Sequence, residues 1–238
     1  GRPIFGGARR IGGFANILRA ESVGQSVYHG FITTLNKRFS RCFEMFATWT
    51  WSHAIDDALE QNNIDSGAFL LSDPTNPRRD RGNSLTDRRH AFNANGVLTP
   101  STAVSNKALR YLANNNRFAA AVVLQQGEVF NMGSTRQLNG DASTATAYQR
   151  PLFVGRNTLR APNMYELNVR YSRTFVVKER WRPEFFMEST NLFNRTNVTG
   201  INSTATVDAL GQITAPASQA WTAAMDQRLI QFGVKLSF

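Results

Sequence analysis

Apolar and polar positions alternate with a period of two through much of this chain, most regularly at its C-terminal end. Ile230, Phe232, Val234, Leu236 and Phe238 are apolar, while Gln231, Gly233, Lys235 and Ser237 are polar or small. Successive side chains of a strand point to opposite faces, so this pattern predicts a strand with one apolar and one polar face. A second clean alternation covers 165–175. Tyr165, Leu167, Val169, Tyr171 and Phe175 share one face, and Glu166, Asn168, Arg170, Ser172 and Thr174 share the other. A third covers 43–52, with Phe43, Met45, Ala47, Trp49 and Trp51 opposite Glu44, Thr48, Thr50 and Ser52. Weaker runs at 14–21, 27–39, 88–98, 117–127 and 182–194 complete a set of eight predicted strands. Phe46, Phe186 and Leu192 break the alternation.

The connections fall into two classes. With sides alternating back from the C-terminus, the long aperiodic segments 55–86, 128–160 and 195–224 all lie on one side. The tight turns at 40–42 and 177–181, and a medium connection at 100–115, lie on the other. Bacterial outer-membrane barrels show this asymmetry, with long external loops and short periplasmic turns. Strand length agrees: about ten residues at ~3.3 Å each, tilted ~45°, span roughly 23 Å, close to the ~25 Å apolar band of such barrels. The expected fold is therefore all-β, an antiparallel transmembrane β-barrel. Trp49, Trp51, Tyr165 and Tyr171 are its candidate interfacial girdle, since amphipathic aromatic rings collect at membrane–water boundaries. Glu166, Asn168, Arg170 and Lys235 are its candidate lumen-facing polar set.

Composition sharpens this picture. No run approaches the ~18 apolar residues of a membrane helix, so a spanning chain of this kind must be a closed barrel. The 238 residues fit one all-β domain. The chain opens with Gly1-Arg2-Pro3, without Met or a signal peptide, and the expectation is a piece of a longer precursor. The net charge of +10 raises nucleic-acid binding. The arginines are scattered over strand ends and loops rather than gathered in a stripe, so no nucleic-acid partner is expected. They are suited instead to lipid phosphates. Cys42 is the sole cysteine, which excludes an intrachain disulfide and a cysteine-cluster metal site.

Short motifs then recur in a familiar order. They are Tyr28-His29-Gly30, Asn36-Lys37-Arg38-Phe39-Ser40, the run from Thr48 to Asp57, Asp80-Arg81-Gly82-Asn83-Ser84, Val154-Gly155-Arg156-Asn157-Thr158-Leu159-Arg160 and Asn191-Leu192-Phe193-Asn194. Over nearly its whole length the chain resembles the barrels of TonB-dependent outer-membrane receptors, in particular the Oar-like subgroup with a carboxypeptidase-regulatory-like domain. The resemblance implies a 22-stranded barrel of which residues 1–238 form the C-terminal part. It implies a plug domain and a TonB box that this chain does not contain. It implies that Phe232, Val234, Leu236 and terminal Phe238 are the signal read by the barrel-assembly machinery. Outer-membrane lipid and lipopolysaccharide would surround the barrel, and the TonB complex would act through the missing N-terminal part. The charged inward set fits a wide lumen, because an eight-stranded interior is only just filled by side chains.

No catalytic constellation and no cofactor site is expected. His53, Asp56 and Asp57 gather an imidazole and two carboxylates, but at a strand end, where a solvated rim is the expected role. His29 and His90 lack metal-ligand spacing. Asp141 is a single carboxylate, too few for calcium. Two other classes compete with a receptor barrel: a self-contained small outer-membrane barrel with a structural or adhesive role, and a soluble basic β-protein. Drawn alone, the chain would carry two open sheet edges.

Overall fold

The computed structural model describes residues 22–40, 42–57, 76–136, 138, 150–177 and 181–237. The expected strand at 14–21, Asn139-Gly140-Asp141, the turn Lys178-Glu179-Arg180 and terminal Phe238 lie outside the described residues. Within them are seven long strands: β1 (Ser26–Ser40), β2 (Phe43–Asp56), β3 (His90–Leu98), β4 (Asn116–Gln125), β5 (Met164–Thr174), β6 (Arg182–Thr190) and β7 (Leu229–Ser237). Each pairs antiparallel with the next in chain order, a simple meander. Among the described residues β1 and β7 pair on one side only, so the sheet is open and closes no barrel. The tight turn between β1 and β2 places Cys42 in the left-handed region, at φ 78°.

The register aligns the alternating patterns into two continuous faces. Phe43, Leu98, Phe118, Tyr171, Met187 and Phe232 succeed one another across β2 to β7. Phe31, Trp51 and His90 do so at the other end. Among the described residues this apolar face has no second layer against it: Phe232 is 75% exposed, and Phe31, Trp51, Phe185 and Leu236 are also exposed. Glu44, Glu166, Glu184 and Glu188 all sit on the opposite, polar face. No Asp or Glu occupies a paired position on the apolar one. A soluble sheet buries its apolar face against another element, and this one does not.

What hydrophobic core there is lies beyond the sheet, at the end bearing the long connections. Ala161, Val198 and Ile201 cluster there with Phe130 and Leu159. The segments expected to be aperiodic contain short strands. Val129–Phe130 pairs with Leu159–Arg160, and Val198–Ile201 with Trp221–Ala224. Thr204–Val207 pairs antiparallel with Ile213–Ala215 and parallel with Gly133–Ser134. Gly82–Asn83 extends the main sheet against the far end of β2. These runs of two to four residues are too short for periodicity, and they form because distant segments supply their partners. The medium connection carries a short helix, α1 (Lys107–Ala113).

Phe186, which breaks the pattern of β6, sits on the polar face, and the register explains it. Its partner on β7 is Gly233, and a Cβ there would collide with the Phe186 ring. The ring lies over the bare glycine backbone, with the Arg170 guanidinium 4.2 Å from its centroid. We expect Gly233→Ala to displace the ring and destabilise the refolded protein by about 1 kcal/mol, the scale of an exposed cation–π contact. In a Phe186→Leu background the same substitution should cost much less, a coupling readable in urea unfolding. Strict additivity would refute this packing account.

Candidate functional site

Three surfaces can carry function: the apolar face, the polar face and the ordered base of the long loops. On the apolar face, β7 contributes Phe232, Val234 and Leu236, all exposed. The four candidate girdle residues share this face but not one level. Trp49, Trp51 and Tyr165 lie toward the loop end, and Tyr171 toward the turn end. Trp49 stacks on His90 at 5.9 Å and meets Phe31 edge-on at 6.4 Å. Tyr171 packs on Phe118 at 5.0 Å, and its hydroxyl donates to Asn116 Oδ1 at 2.8 Å.

The polar face holds Glu166, Asn168, Arg170 and Lys235. Asn168 Nδ2 donates to Glu166 Oε1 at 2.8 Å. Arg170 pairs with Glu188 at 3.0 Å and reaches Glu184 at 3.7 Å. Gln231 also contacts Glu188, and Lys235 lies opposite Glu184 in the register. Ion pairs of this kind in high dielectric contribute little each. Together they set a hydrated, charged wall on β5 to β7.

The loop base is built from buried charge. Asp87 is 0% exposed. Its carboxylate contacts His53 Nδ1 at 3.0 Å, accepts from the Ala54 amide at 3.0 Å, and pairs with Arg160 at 2.9 Å. Arg150 pairs with Asp80 at 2.6 Å. Arg156 pairs with Asp56 and donates to the Asp56 carbonyl at 3.1 Å. Asn83 and Asn157 exchange side-chain-to-carbonyl bonds at 3.2 and 2.7 Å. Asp56 and Asp57 are buried, not the solvated rim expected of them. Burial alone would raise the Asp87 pKa. The bonds from His53, Ala54 and Arg160 outweigh it and hold the carboxyl below its ordinary value of 3.8. Burial pushes the Arg156 guanidinium down to about 10.

Asparagines close the far side of this base. Asn191 and Asn194 take left-handed φ values of 47° and 50°, which short polar side chains tolerate, and end β6 there. Asn191 Nδ2 donates to the Arg195 carbonyl at 2.8 Å, and its own amide donates to Asn168 Oδ1 at 2.8 Å. Buried Asn197 brackets Tyr165, accepting from its amide at 3.0 Å and donating to its carbonyl at 3.1 Å. The motifs around Asp80, Arg156 and Asn191 are thus ties between loop bases. Sequence reasoning found the motifs but not the ties. Asp87 was missed altogether, because nothing near it in sequence marks it as the partner of His53 and Arg160.

A single-layer antiparallel sheet, apolar and free of carboxylates on one face and charged on the other, defines a membrane-spanning β protein. The profile of an outer membrane beta barrel domain matches residues 2–155 and 152–231, and the chain belongs to that family. It is a protein of the bacterial outer membrane. No curated protein matches it in sequence.

Two outcomes follow for the loop base. The Asp87 carboxyl has a folded pKa below its unfolded one, so its contribution is complete well above pH 4 and disappears as pH falls through the lower folded value. Exchange of the Ala54 amide, corrected for intrinsic rate, should therefore accelerate at pH 3 relative to pH 7. Asp87→Ala should produce the same opening at pH 7, a loss of about 2–3 kcal/mol for charge-assisted bonds to a buried group. Unchanged Ala54 protection in both experiments would show that Asp87 does not hold the loop base.

Proposed function

We propose that this chain is the C-terminal portion of the barrel of a TonB-dependent outer-membrane receptor of the Oar-like type, serving energised uptake of a nutrient and not catalysis. The observation that carries the reading is the open sheet with its unmatched faces. β1 and β7 each have an unpaired edge among the described residues, and a spanning sheet with free edges leaves backbone groups unsatisfied in lipid. Further strands would complete the wall. The charged side chains of β5 to β7 favour a wide, hydrated interior over a packed one. The motif resemblance supplies the rest: a plug in the lumen, the TonB complex as energy partner through the N-terminal part, and the barrel-assembly machinery acting on the β7 terminus. The long connections then lie outside the cell, with their ordered base as the platform from which ligand is captured.

An antibody to the 195–224 loop, used on outer-membrane fractions of the native organism, tests this directly. The expected result is a heat-modifiable polypeptide several times the 26.6 kDa of this chain, with intact cells stained. A species of this chain's own mass would instead establish a small self-contained barrel and end the transport reading.

A further inference from the structure

The connection at the turn end between β3 and β4 is the one there that is not tight, and its order needs a reason. α1 is capped at both ends. Asn106 Oδ1 accepts from the amides of Ala108 and Leu109, at 3.0 and 3.2 Å. At the other end Arg173 donates to the Tyr111 carbonyl at 2.7 Å and the Leu112 carbonyl at 3.3 Å. Asn116 Nδ2 donates to the carbonyls of Leu112 and Ala113, at 2.7 and 2.9 Å. The helix is thereby fixed against the end of the sheet.

At 100° per residue, Ala108, Leu109, Leu112 and Ala113 fall on one arc, and Lys107, Arg110 and Tyr111 on the other. The apolar arc is uncovered: Leu109 is 55% and Leu112 61% exposed. Leu112 is also continuous with the apolar face, since it lines one concavity with Phe43, Leu98, Phe118 and Met187. Among the described residues the charge beside this patch has a single sign. Residues 99–125 contain Lys107, Arg110 and Arg117 and no Asp or Glu. Among the described residues, the charged residues at the turn end of the apolar face are Lys37 and Arg173. Lys37 Nζ sits 3.8 Å from the Phe43 centroid while donating to the carbonyls of Ser40 and Phe43.

We infer that α1 is an interfacial helix. Its apolar arc lies in the hydrocarbon boundary of the leaflet at the turn end, and Lys107 and Arg110 reach the phosphates of anionic glycerophospholipids there. An amphipathic helix with a basic polar arc binds a bilayer in that way. The occupant follows from continuity, because the surface that α1 extends is already the membrane face of this family's sheet. The inference rests on the membrane placement of the sheet and not on the transport reading.

The test places an environment-sensitive fluorophore on single cysteines in a Cys42→Ser background: Lys107→Cys, Leu109→Cys, Arg110→Cys and Leu112→Cys. The protein is reconstituted in vesicles of phosphatidylethanolamine with phosphatidylglycerol. Labels at 109 and 112 should be quenched several-fold more by spin-labelled lipid than by aqueous iodide, with the reverse at 107 and 110. Tryptophan emission reports insertion of the sheet in the same samples. Tryptophans quenched by lipid with all four labels open to iodide would overturn the inference alone. Tryptophans open to iodide would overturn the placement of the sheet as well. For the headgroup contact, lipid quenching at 112 should be stronger with phosphatidylglycerol than with phosphatidylcholine alone, and Lys107→Gln with Arg110→Gln should abolish that gain. A gain unaffected by the double substitution would refute the role of the two cations.

Discussion

Everything in this protein depends on one constraint: within hydrocarbon, each backbone amide and carbonyl must find its partner inside the protein. Among the described residues a seven-strand meander satisfies this in its interior without a second layer. That frees its two faces to answer different solvents. The register delivers the separation, because residues that are opposite across a pair share a face. A slip of one residue would move every carboxylate of β5 and β6 into lipid. The Phe186 ring over Gly233 and the Arg170–Glu188 pair both bridge neighbouring strands on the polar face. Each therefore favours the register that the apolar face requires.

Beyond the bilayer the physics changes, and so does the means of holding the chain. Among the described residues the loop base has a small apolar cluster, and charge and amide groups tie it together. Asp80, Asp56 and Asp87 each face an arginine from 150–160, the segment that leads into β5. Breaking a buried pair by removing one partner strands the other, which is far costlier than the pair is stabilising. Such a base is brittle to substitution yet well defined, the property needed to present long loops from a fixed platform.

The strands were legible because a half-buried sheet writes period two into its sequence. β5 and β7 were read to within a residue or two, and β2 only to its first ten residues. Its last turn toward Asp56 is set by pairing with Gly82–Asn83 and β1, not by alternation. Phe186 looked like noise because its partner, Gly233, is distant in sequence. The short strands at 129–134 and 198–215 were illegible for the same reason. α1 was hidden differently: seven residues give barely two turns, and its helicity is imposed by Asn106, Asn116 and Arg173 as caps. His53, Asp56 and Asp57 drew attention as a polar cluster, but their partners are distant in sequence: Arg156 for Asp56, Arg81 and the Gln25 amide for Asp57, and Asp87 for His53.

The polar face is held by contacts that run along the sheet. On the polar face of β5 to β7, Arg170, Glu184, Glu188 and Gln231 satisfy one another along the wall, with Lys235 opposite Glu184 in the register. In a narrow barrel, inward side chains meet those of the opposite wall and must interdigitate with them. Groups that pair laterally, strand to neighbouring strand, need nothing from across the lumen. β2 to β4 carry Thr48, Thr50, Asn93, Asn95, Ala119 and Ala121 on the same face, together with the larger Glu44, Phe46 and Arg117. Charged groups paired in this way leave the polar face able to meet water without a second layer against it.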